Sequence, residues 1–99
     1  MVDPDLLRDL LLTLEKLQRS PPESMLVSLG EVSARLNREG DDVEEAFAIL
    51  SRLALIEGPG RYGAGWLFRQ LTPRGRLMAD QVDSTRQWKR IKKAYGVAG

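Results

Sequence analysis

Cysteine and histidine are both absent from this chain. Without cysteine there is neither a disulfide framework nor a thiolate metal site. Without histidine the commonest general base, the commonest metal ligand and the side chain best suited to sensing physiological pH are missing too. Long apolar runs are also lacking: none approaches the ~18–20 residues that a membrane span needs. Met1-Val2-Asp3-Pro4 does not open a signal peptide, so a cytoplasmic location is expected. No internal repeat, low-complexity tract or dividing linker is visible. What is there is 99 residues, 42% hydrophobic and 29% charged, which read as one globular domain over 1–99. A chain of this size buries roughly 60–70% of the surface it would expose unfolded.

The net charge of +1 hides a strong asymmetry. Residues 1–50 hold eleven acids and five bases, whereas residues 51–99 hold ten bases and three acids. Such a split points to a basic end that faces a partner. The competing reading is a segregation that pairs the two halves of the fold with each other.

Apolar periodicity places the elements. Leu6, Leu7, Leu10, Leu11, Leu14 and Leu17 recur at three- and four-residue steps and predict a first helix. Asp3 is its expected cap with Pro4 at the first position, and Ser20-Pro21-Pro22 stops it. Met25 to Leu29 reads as a short strand, and Gly30 to Asn37 as a second helix that Gly40 breaks. A third helix is expected from Asp41 or Asp42, burying Val43, Ala46, Phe47, Leu50, Leu53 and Ala54. Leu55-Ile56 then enters a hairpin whose tip, Gly58 to Gly65, holds four glycines and is expected to be mobile. The apolar strand Trp66 to Leu71 leads to Thr72-Pro73, a cap followed by a first-position proline. From there one long helix is expected over 73–95. Leu77, Ser84, Trp88, Ile91 and Tyr95 lie on one side of it, opposite Arg86, Lys89, Arg90 and Lys93. The order describes an α+β, mainly helical fold: a winged helix-turn-helix with a three-helix core, a small β-hairpin wing and an extended C-terminal helix.

Two blocks carry a closer likeness. One is Asp5-Leu6-Leu7-Arg8-Asp9-Leu10-Leu11-Leu12-Thr13-Leu14-Glu15; the other is Leu71-Thr72, then Gly75, then Trp88-Lys89-Arg90-Ile91-Lys92. In these the chain resembles the bacterial and phage winged-helix family catalogued as domain of unknown function 2513. Members of that family often carry a histidine in the third helix, where this chain has Ala46-Phe47. The resemblance implies a winged-helix fold and a phage or mobile-element context, and no particular activity.

Winged helices that read DNA normally lay the third helix in the major groove. Here its first turns carry Asp41, Asp42, Glu44 and Glu45, which repel a polyanion, and its outward face offers one base, Arg52. Acids at a helix N-terminus also have a purely structural use, in complementing its dipole. The candidate nucleic-acid contacts are therefore Arg35, Arg38, Arg52, Arg61, Tyr62, Arg69 and Arg74, on the second helix, the wing and the wing base. Arg86, Trp88, Lys89, Arg90, Ile91, Lys93 and Tyr95 form a second candidate surface. It is open to a homodimer contact, to nucleic acid, or to packing back on the acidic first helix. No catalytic, cofactor or metal site is expected: the paired acids lack a histidine or cysteine, and the wing glycines do not match G-x-x-x-x-G-K-[ST]. The leading expectation is a double-stranded DNA-binding protein, a small transcriptional regulator that contacts the duplex by wing and flanking bases. The alternative is a protein–protein interaction module that docks through its acidic third helix or basic C-terminal helix.

Overall fold

The computed structural model describes residues 2–94, which form an α+β fold of five helices and a small amount of antiparallel sheet. Helix α1 spans Pro4–Leu17. Asp3 caps it as expected, its carboxylate accepting from the Leu6 amide at 2.8 Å. Strand β1 (Met25–Ser28) runs directly into α2 (Leu29–Leu36), and the Ser28 hydroxyl accepts from the Glu31 amide. Glycine 40 does not end this helix. Asn37 does, in the left-handed conformation at φ +55°, which asparagine tolerates better than most residues.

Helix α3 (Gly40–Arg52) starts one residue before the acids expected to cap it, and its N-cap Glu39 makes no side-chain capping bond. It buries Val43, Ala46, Phe47 and Leu50. It does not bury Leu53 and Ala54. The helix has ended by then, Ala54 is left-handed at φ +57°, and Leu53 is 46% exposed.

A hairpin follows, interrupted near its middle. Strands β2 (Ile56–Glu57) and β5 (Gln70–Leu71) pair at its base, and β3 (Gly60–Tyr62) and β4 (Gly65–Phe68) pair toward its tip. The other side of β4 pairs with β1, giving the order β1-β4-β3. The expected single strand over 66–71 is thus broken at Arg69, whose amide donates to the Glu57 carbonyl at 2.9 Å. The turn itself is Gly63-Ala64, with Gly63 at φ +56°. That sign at the first central residue matches a type II′ hairpin turn, where glycine fits without strain. The Ala64 carbonyl accepts from the Leu29 amide at 3.2 Å, which docks the tip on the start of α2.

The hairpin is fastened to the helices by ring stacking. Trp66 of β4 lies on Phe47 of α3, centroids 5.2 Å apart and planes 17° from parallel. One core joins these rings to Leu6, Leu10 and Leu14 of α1, Val32 of α2, and Phe68 and Leu71 of the hairpin. The Gln18 side chain, at the end of α1, accepts from the Leu71 amide at 2.9 Å.

The C-terminal segment departs from expectation. Instead of one helix over 73–95 there are two, α4 (Pro73–Asp83) and α5 (Thr85–Ala94). Thr72 caps α4 as expected, accepting from the Gly75 amide at 3.0 Å. Ser84 then turns extended at ψ 121°. Its hydroxyl accepts from the Gln87 amide at 3.3 Å and its carbonyl from the Trp88 amide at 2.9 Å, so one helix stops and another starts on the same residue. The stripe expected to join Leu77 to Trp88 is therefore split, and Leu77 is 66% exposed. Tyr95 lies outside the described residues.

Candidate nucleic-acid interface

The hairpin and α3 meet through charge. Arg61, next to the hairpin tip, forms an ion pair with Glu44 of α3, and its Nε donates to the Gly63 carbonyl at 2.9 Å. The Arg61 guanidinium is thus turned onto the helix and offset by a carboxylate. Its neighbour Tyr62 is 65% exposed. Asp41 and Glu45 are exposed at the leading turns of α3, and Arg52 stands at its far end. The face that would enter a major groove is therefore acidic at its start, and sequence readout by arginine has only Arg52 to draw on.

Two bases were expected on and after α2. Arg35 is exposed, while Arg38 is tied to Asp3 at 2.8 Å. The Arg38 guanidinium holds the Asp3 carboxyl below its ordinary value, helped by the Leu6 amide and opposed by partial burial. Asp3 in turn raises the pKa of Arg38. This pair joins the start of α1 to the α2–α3 turn and takes Arg38 out of the set of freely offered cations.

Arg52 ends α3, Arg69 lies between β4 and β5, and Arg74 is in the first turn of α4, three places next to the base of the hairpin in the chain. The Thr72 amide donates to the Leu55 carbonyl at 3.1 Å, so the end of α3 and the start of α4 lie side by side. Gly75 makes that approach possible, because a Cβ there would overlap the Leu55 carbonyl oxygen. Arg69 sits beside the β2–β5 pair, and Arg76 reaches back to the Gln70 side chain at 3.3 Å. All four arginines are exposed.

The last helix packs on the first. Arg8 of α1 donates through Nε to the Val82 carbonyl at 2.7 Å and through a terminal nitrogen to the Asp83 carbonyl at 3.1 Å. This satisfies carbonyls that α4 leaves free at its end. The Asp5 carboxylate accepts from Trp88 Nε1 at 2.7 Å and from Lys92 Nζ at 3.0 and 3.2 Å. Arg8 and Lys92 both lie over the Trp88 ring, 5.9 and 5.7 Å from its centroid. Of the three uses weighed for this helix, packing on α1 is where Trp88 and Lys92 are found. Ile91 is half-buried on the same side, while Arg86, Lys89, Arg90 and Lys93 are exposed. Asp5, Arg8 and Lys92 were not singled out from the sequence. They stand in the sequence only as members of the two likeness blocks, with no role given by spacing or periodicity.

Among the described residues no group of acidic side chains is arranged to hold a metal ion, and no helix is long and apolar enough to cross a membrane. No family model, no curated protein and no solved structure matches the chain.

Proposed function

We propose that this chain is a winged helix-turn-helix protein that binds double-stranded DNA, chiefly through charge on the phosphate backbone, as a small regulator of phage or mobile-element origin. One observation carries the binding. Of the ten bases in residues 51–99, only Arg61 and Lys92 make ion pairs among the described residues, and the other eight are exposed. A segregation serving only to pair the two halves of the fold would consume most of these charges. Unpaired, they attract a polyanion, and released counterions supply the free energy. The element order and the β1-β4-β3 sheet support the winged-helix assignment. The likeness in residues 5–15 and 71–92 supports the origin. Contacts of this kind position a protein on a duplex without choosing a sequence.

A second reading has its own observation. An apolar groove of about 160 Å³ runs between α1, α3 and α4, with Leu53 and Met78 exposed at its rim. With the acids of α3, it favours a protein-docking module.

Binding of a short labelled duplex, followed by fluorescence anisotropy, separates the two. DNA binding requires measurable affinity at low salt that falls steeply between roughly 50 and 200 mM. Replacing Arg52, Arg69 and Arg74 by glutamine should weaken it while leaving the fold intact. Absence of duplex binding at low salt would overturn this function and favour the docking module.

A further inference from the structure

Helix α5 has one face that the fold uses and one that it does not. On the inner side, Trp88 and Lys92 are held by Asp5, and Ile91 is half-buried. On the outer side, Arg86, Lys89, Arg90 and Lys93 follow at three- and four-residue steps, which places them on one stripe. None of the four has an ion-pair partner among the described residues. The stripe covers ~10 Å at 1.5 Å per residue, enough to face about three phosphates of one strand at ~3.4 Å axial spacing. It begins at the far end of α4 from Arg74, ~15 Å along that helix.

We propose that this outer face of α5 is a second binding surface for the phosphate backbone of double-stranded nucleic acid, separate from the basic cluster at the hairpin base. The assignment rests on the reading of the chain as a DNA binder and adds where part of the contact lies. Three other occupants fit the surface less well. A membrane-surface helix inserts its apolar face, and here that face is turned onto α1. A second copy of α5 would set four cations against four cations. A protein partner is anchored by apolar or aromatic side chains, and the exposed residues of α5 include none larger than Ala94. Phosphate asks only for positive charge at this spacing. Asp5 is a positioning residue: it neutralises the one lysine that faces inward and keeps the other four bases facing out.

The test compares the salt dependence of duplex binding in the parent chain and in the variant R86Q/K89Q/R90Q/K93Q. Each phosphate contact contributes about 0.9 to the slope of log K against log salt, so losing about three contacts should make the variant's slope shallower by about 3. In a Trp66→Phe background its Trp88 fluorescence should match that of the parent, showing that α5 is still docked. A charge-preserving R86K/R90K variant should keep the parent slope. If the quadruple variant does not fold, K89Q/R90Q should lower the slope by about 2. An unchanged slope in the glutamine variants, with the parent still bound, overturns the α5 assignment and leaves the DNA-binding function standing. A parent chain that ignores duplex but binds vesicles of anionic lipid overturns both.

Discussion

Asp5 is only the second residue of α1, yet its carboxylate holds the last helix in place. Hydrogen bonds from Trp88 and then Lys92 lower its pKa below the ordinary 3.8, against an opposing contribution from partial burial. A carboxylate with a depressed folded pKa stabilises the fold above its unfolded value and loses that contribution as the pH falls through the folded one. The α5 clasp should therefore be intact across the neutral range and open only below pH 3.8. Asp3 has the same sign, through Arg38, whereas burial pushes the Asp9 carboxyl up and opposes them. In a Trp66→Phe background Trp88 is the sole indole reporter. Its emission should shift to the red on acidification below that value, and Asp5→Asn should give the shifted spectrum already at neutral pH. Identical neutral spectra with and without Asp5 would contradict the clasp.

At the scale of elements, Gly75 decides how closely α4 approaches the end of α3. Gly75→Ala pushes a methyl group into the Leu55 carbonyl, which also accepts the Thr72 amide. Overpacking of this kind costs about 1–3 kcal/mol, visible as a lower urea midpoint. Gly40→Ala is the control, since a Cβ there meets nothing within 4 Å. Equal midpoints for the two variants would contradict the packing described. The same elements show what could be read in the chain. The starts of α1 and α4 were legible because Asp3-Pro4 and Thr72-Pro73 act on amides within three residues of the cap. The break at Ser84 was not, because an Asp83-Ser84-Thr85 step is tolerated inside a helix. The residues that hold α5 elsewhere are remote: Asp5 and Trp88 are separated by 83 positions. The Arg61–Glu44 pair escaped for the same reason. Periodicity registers which face is apolar, not which distant side chain an arginine will reach.

At the scale of the whole molecule, charge was legible in amount and illegible in use. The acidic half and the basic half could be counted, but only the fold shows how few of the second half's bases the first half takes up. Two groups of exposed bases remain, one where α3, the hairpin and α4 meet and one along α5, while the leading turns of α3 stay acidic. On this account DNA lies along the basic groups and avoids the helix that usually reads it. Amide chemical-shift mapping of the labelled chain on addition of duplex DNA at low salt tests this most directly. The expected result is shifts gathered at Arg52, Arg69, residues 74–76 and residues 86–93, with residues 41–45 unmoved. Shifts confined to residues 41–45, or none at all, would contradict the account.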